Sequence, residues 1–153
     1  MNVAEFLKRE KVDFKLLAHR DTYDAQRMAQ SLHISGRHVA KTVMLRVNRG
    51  DSFVVAVLPA NRAVDFELAS QLLGGQVELA SEREMAENCP DCEVGVLPPF
   101  GSQYDMRTIV DRCLTEDDEI VFEGNTHHEA FRMLFDDFRR IEKPIIGEFS
   151  MEP

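Results

Sequence analysis

The sequence predicts an α+β protein, with a mixed, largely antiparallel β-sheet or barrel flanked by helices. Three observations carry that expectation. Two runs rich in β-branched residues, 39–47 and 52–58, flank Asn48-Arg49-Gly50-Asp51, a turn suited to a hairpin. Further short apolar runs follow with turn residues between them, so strands outnumber helices and mostly succeed one another. Segments with apolar residues at helical spacing lie near both ends of the chain and between the strands.

From the start of the chain, Asn2 and Glu5 form a capping arrangement before Val3, Phe6 and Leu7, an apolar helical face that ends by Val12. Residues 14–17 read as extended. From Asp24 to His33, Ala25, Met28, Ala29 and Leu32 recur at helical spacing, and Gly36 stops this second helix. The run Phe53-Val54-Val55-Ala56-Val57-Leu58 is apolar on both faces, which places it inside the sheet with a layer on each side; Pro59 ends it. A helix from about Asp65 carries Phe66, Leu68, Ala69, Leu72 and Leu73, and Gly74-Gly75 closes it. A short strand spans 76–80, and Ser81 with Glu84 is a capping box for a brief helix over 82–87. Strands resume at 106–110, 120–122 and 131–135. A last helix covers 137–142 with Asp136 as its cap, and a tail follows Pro144. With 153 residues and no internal repeat, a single domain over 1–153 is expected.

A chain that is 44% hydrophobic and 29% charged is neither disordered nor fibrous. The first residues lack the basic and apolar regions of a signal peptide, and no apolar run approaches the roughly 18 residues of a membrane span. A cytoplasmic location without membrane partners is therefore expected. Three cysteines then read as reduced thiols. The net charge of −9 is unevenly spread: residues 1–50 hold ten Lys and Arg against five Asp and Glu, whereas 51–153 hold eight against twenty-two. Any contact with RNA phosphates belongs to the basic third.

Lys41 shares a strand face with Val43, Leu45 and Val47. It either snorkels into water from the strand end or stands as a cation at the rim of a cavity. The loop Gly95-Val96-Leu97-Pro98-Pro99-Phe100-Gly101 is a structural crossing, or a site in which Gly95 lets amide hydrogens face a carbonyl oxygen while Pro98 and Pro99 hold the loop rigid. The turn Gly124-Asn125-Thr126-His127-His128 supplies two imidazoles, exposed or ligand-orienting. Cys89 and Cys92, with Cys113 and His127, suggest a Cys₃His zinc set, but a second Cys-x-x-Cys pair is missing and the signal is weak.

Four stretches in this order resemble the YbaK-like and prolyl-tRNA-editing domains: Ala40-Lys41-Thr42-Val43, Leu58-Pro59-Ala60-Asn61-Arg62-Ala63-Val64-Asp65, the Gly95–Gly101 loop and Gly124-Asn125-Thr126-His127. The resemblance covers nearly the whole chain. It implies a mixed β-barrel with flanking helices, no metal or organic cofactor, and hydrolysis of mischarged aminoacyl-tRNA by a free-standing domain. It implies Lys41 holding the tRNA end, Gly95 polarising the ester carbonyl, and His127 shaping the pocket or placing water. Pro98, Pro99, Phe100, Gly101, Gly124, Asn125, Thr126 and Met44 would line the substrate pocket. The implied partners are the acceptor end of tRNA and an aminoacyl-tRNA synthetase. The competing reading is a non-catalytic binding or regulatory module that uses the same cleft for a nucleotide-like or aminoacyl ligand.

Overall fold

The computed structural model describes residues 1–18, 29, 38–50 and 52–153. The helix expected from Asp24 to His33 lies outside the described residues except for Ala29, which is buried.

The centre of the fold is a five-stranded mixed sheet. Strands β2 (Ala40–Val47) and β3 (Ser52–Pro59) pair antiparallel over their whole length, Lys41 opposite Leu58 and Val47 opposite Ser52. The short helical turn Asn48–Gly50 joins them. Arg49 there has positive φ, as a tight hairpin connection requires. Strand β4 (Ala63–Val64) and helix α2 (Phe66–Leu73) follow. Asp65 caps α2 by accepting the N–H groups of Glu67 and Leu68, and Gly74 ends it in the left-handed conformation. Strand β5 (Val77–Leu79) pairs with the outer edge of β2, and helix α3 (Glu82–Asn88) begins with the full Ser81/Glu84 capping box. Strand β6 (Arg107–Asp111) joins β3 in parallel.

A three-stranded antiparallel sheet stands beside it. It has β8 (Glu129–Leu134) between β1 (Phe14–Ala18) and β7 (Glu119–Glu123). The helices α1 (Val3–Arg9) and α4 (Phe135–Glu142) pack on these sheets. A parallel bridge between Val39 and Val121 links the two sheets. Among the described strands no ladder closes into a barrel, so the fold takes the open form of the two expected.

Two details differ from the sequence expectation. Helix α4 starts at Phe135, with Leu134 at the capping position and no side-chain cap, so Asp136 belongs to its first turn. Burial of Phe135 and Phe138 decides that start. The stretch after Pro144 is also structured: β9 (Ile145–Gly147) lies parallel to β6, and β10 (Ser150–Met151) pairs with β4.

Strand alternation sorts the apolar residues onto two faces. Met44, Val55, Val57 and Val110 join Phe6, Leu7, Phe122, Phe131 and Phe138 in one core. Leu45, Val47, Val54, Ala56, Leu58 and Ile109 pack under Ala69 of α2 in a second core. This division explains why β3 is apolar on both sides. A third, smaller cluster holds Ala29, Val39, Ala60, Val121 and Ala130.

Candidate functional site

His127 is the inward-facing member of its histidine pair, 6% exposed, whereas His128 is exposed. Its Nε2 lies 2.8 Å from the carbonyl oxygen of Val94, and its Nδ1 lies 3.6 Å from Oε2 of Glu123. Gly95 sits directly against this ring: a Cβ built on the glycine would be 4.0 Å from Cε1 of His127. The glycine occupies the third position of a turn in which Val96 N–H donates to Glu93 O at 3.1 Å. Its φ of +82° is the positive value that position takes in a type II turn.

Asn125 fastens this loop to the β7–β8 turn. Its carbonyl oxygen accepts the Glu93 N–H at 2.9 Å, its Oδ1 accepts the Val3 N–H at 3.0 Å, and its Nδ2 donates to Met1 O at 2.7 Å. These groups bracket three chain segments. Thr126 Oγ1 accepts the His128 N–H and bonds Glu129 within the turn. Gly124 lies against the Phe131 ring.

Lys41 lies on β2. It shares a face with Val39, and Val39 bridges Val121 in parallel. Strands β2 and β7 run close to each other. Lys41 is half-buried, two residues along the chain from Val39 of the third apolar cluster. The structure therefore gathers Gly95, His127 and the 124–126 turn, while Lys41 stands on β2.

Other sequence candidates lie elsewhere. Met44 is three residues from Lys41, so alternation turns it to the opposite face, where it is 1% exposed in the first core. Phe100 is fully buried, its ring centroid 5.2 Å from Phe6, 5.4 Å from Phe122 and 5.6 Å from Phe138. Pro98 and Pro99 are buried just before it. Gly101 closes the loop at its far end, where its N–H donates to Thr108 Oγ1 at 2.9 Å.

Glu123 is the residue that sequence reasoning missed. A carboxylate at the end of an apolar strand, four residues before a buried histidine, was the available signal. Its side chain is 14% exposed.

Among the described residues no cluster of three or more His, Cys, Asp or Glu is placed to hold a metal ion. Cys113 is exposed on the helical turn Arg112–Glu116, and Cys89 is buried. Burial pushes the Cys89 thiol up to about 12, which leaves it protonated and weakly nucleophilic at neutral pH. A cavity of about 30 Å³ opens beside Gly95, lined by Met85, Cys89, Cys92, Val94 and Val96. A larger hollow of about 470 Å³, lined by His38, Glu116, Asp117, Asp118, Glu119, Val121 and Arg132, includes the Val121 side of β7.

The fold and these placements define a mixed α+β scaffold with a glycine turn lying against a buried histidine. The aminoacyl-tRNA editing domain family matches residues 19–141, and the chain belongs to that family. The fold is similar to that of a hypothetical protein, APE2540, with a TM-score of 0.88 and 21% identity over 97% of this chain and 99% of the other. It is also similar to a protein provisionally described as a trans-editing enzyme for prolyl-tRNA synthetase, with a TM-score of 0.79 and 19% identity over 90% and 87% of the two chains. A third likeness is a provisionally described signal transduction protein from Marinobacter aquaeolei VT8, with a TM-score of 0.74 and 20% identity. It covers 97% of this chain but 30% of that one, so the fold also occurs within a longer chain. No curated protein matches the chain in sequence. Among the described residues no helix is long and apolar enough to cross a membrane.

Proposed function

We propose that this chain hydrolyses, in trans, the ester bond of a tRNA charged with the wrong amino acid, a small one on a prolyl-type or similar tRNA. The observation that carries the reading is the membership of residues 19–141 in the editing family, combined with Gly95 lying against the buried His127. Water adds to the ester carbonyl, the ester bond breaks, and the products are the free amino acid and a tRNA with its terminal ribose hydroxyl restored. Such a reaction needs donors aimed at the developing oxyanion, a cation for the tRNA end and an ordered water. The Gly95 turn supplies backbone amides on a loop anchored by the buried Pro98 and Pro99. Lys41 supplies the cation, and His127 shapes the pocket beside Gly95. The protonated Cys89 thiol favours attack by water over attack by a cysteine. A terminal ribose hydroxyl of the substrate assists that water. The tRNA acceptor end docks on the basic first third of the chain, with a synthetase as a second partner, and the reaction takes place in the cytoplasm.

The test is release of amino acid from alanyl-, cysteinyl- and seryl-tRNAs by the purified protein. Release from at least one, abolished in Lys41→Ala with the fold retained by circular dichroism, supports the reading. Saturable binding without release across the panel overturns it in favour of a binding module.

A further inference from the structure

We propose that Cys89 and Cys92 are a redox modification site: a low-molecular-weight disulfide oxidises them to an intrachain disulfide, which opens a clasp at the base of the loop that carries Gly95. The effect on catalysis rests on the deacylase reading; formation of the bond does not.

The pair is placed to be bridged. Cys89 closes α3, and its carbonyl oxygen accepts the Cys92 N–H at 3.3 Å. That bond makes residues 89–92 a β-turn, whose end Cα atoms lie within about 7 Å, and disulfides span about 4.4–6.8 Å between Cα atoms. Both side chains line the cavity of about 30 Å³ beside Gly95. Cys89 is 3% exposed and Cys92 is half-buried, so an oxidant meets Cys92 first.

The thiol of Cys92 also holds two ends of a loop together. Tyr104, the last residue of the helical turn Gly101–Tyr104, has one hydroxyl proton, which it donates to Asp91 Oδ1 at 3.1 Å. A carboxylate only accepts, so the Cys92 S–H donates to the Tyr104 oxygen, 3.4 Å away. The same Asp91 oxygen lies 3.7 Å from the Cys92 sulfur, a second acceptor for that proton. Asn125 Nδ2 donates to the sulfur at 3.6 Å. Cys92 and Tyr104 stand at the two ends of residues 93–103, which contain the Gly95 turn, Pro98, Pro99 and Phe100. A disulfide sulfur has no proton to donate, so oxidation breaks the link between Cys92 and Tyr104.

The chemistry balances in two exchanges. The Cys92 thiolate attacks one sulfur of the external disulfide, whose S–S bond breaks and releases one thiol. Cys89 then loses its proton and attacks the Cys92 sulfur, which releases the second thiol. Two protein thiols are oxidised, and one disulfide is reduced to two thiols. Burial first, and then the neighbouring Cys92, push the Cys89 thiol up to about 12, so the second exchange is the slow one at neutral pH.

The site is tested by incubating the purified protein with oxidised glutathione, digesting it without reductant and mapping the thiols by mass spectrometry. Glutathione should appear on Cys92 and give way to a Cys89–Cys92 disulfide that dithiothreitol reverses, and Cys89→Ala should stop at the glutathione adduct. Free thiols at both positions, an adduct on Cys92 that never closes, or a bridge from Cys92 to Cys113 overturns the proposal. Amide exchange over residues 93–104 should quicken by about two- to tenfold in the disulfide form, the worth of one lost hydrogen bond. Unchanged exchange overturns the clasp. On whichever tRNA the wild-type protein deacylates, the disulfide form should release amino acid about tenfold more slowly until dithiothreitol is added. Cys92→Ser, which keeps a proton to donate, should show no such loss on treatment with the oxidant. An undiminished rate with the bridge in place overturns the effect on catalysis. If the wild-type protein releases no amino acid from any tRNA, the deacylase reading fails, and the thiol map and the exchange rates still decide the redox site.

Discussion

Gly124 lies so close beneath the Phe131 ring that a methyl group at position 124 would overlap the ring carbons. Phe131 is 1% exposed, tilted against Phe14 and stacked on Phe122, so it has little room to yield. Gly124→Ala should therefore destabilise the protein by about 1–3 kcal/mol, as overpacking does. Chemical denaturation measures the loss, and the double variant Gly124→Ala/Phe131→Leu should recover part of it.

Gly95 presents the opposite case. An added Cβ would meet only an ordinary contact, 4.0 Å from the His127 ring, yet φ is +82°. Gly95→Ala should cost about 1–2 kcal/mol of stability through backbone strain alone. Its deacylase activity should fall further than that loss accounts for, because the turn carries the proposed donor. Comparing denaturation midpoints with single-turnover rates separates the two effects.

Asp111 ties the end of the chain to the central sheet. Its carboxylate accepts the N–H groups of Cys113 at 3.0 Å, Phe149 at 3.1 Å and Ser150 at 2.9 Å. Burial alone would push this carboxyl up, but these amide donors outweigh it and hold it below the usual aspartate range. A depressed folded-state value stabilises the protein above the unfolded pKa of about 3.9, and that stabilisation is lost as pH falls through the folded value. Asp111→Asn should cost about 1–3 kcal/mol at neutral pH. The gap between wild type and variant should close in acid, as followed by urea titrations across pH.

Glu142 should show the reverse dependence. It is 7% exposed and accepts Ser102 N–H at 3.0 Å, Ser102 Oγ at 2.6 Å and Thr108 Oγ1 at 2.6 Å. Here burial prevails over those donors and raises the carboxyl above the ordinary glutamate range. The folded state then binds the proton more tightly than the unfolded state. The resulting stability is complete below the unfolded pKa of about 4.3 and is lost as pH rises through the folded value. Relative to Glu142→Gln, the wild-type protein should gain stability as pH is lowered from about 7 toward 4, the opposite trend to the Asp111 pair.

Features governed by local chemistry were legible in the sequence. The β2–β3 hairpin, the Asp65 and Gly74 ends of α2 and the Ser81/Glu84 box each depend on residues within a few positions of one another. What distant partners determine was not legible. Ile145 and Ile146 look like tail residues until β6 offers a parallel edge and Asp111 accepts the amides beyond them. Asn125 reads as a polar site residue, yet its amide is used to join Val3 and Met1 to the turn. Met44 was separable from Lys41 by counting alone, since an odd spacing on a strand reverses the face. Glu123 needed the fold, because only the turn after β7 brings the His127 ring back to within 3.6 Å of it.

The placement of β6 between β3 and β9, parallel to both, has a consequence for synthesis. A ribosome delivers β6 well before β9, so the nascent sheet waits with one flank of unpaired amides and carbonyls, a template for any neighbouring extended chain. Residues 145–147 end that interval by occupying the flank, and the Asp111 carboxylate then clasps the segment that follows. The last strands act as a closing seam, and a chain released before Ile145 would meet other copies of itself along an open edge.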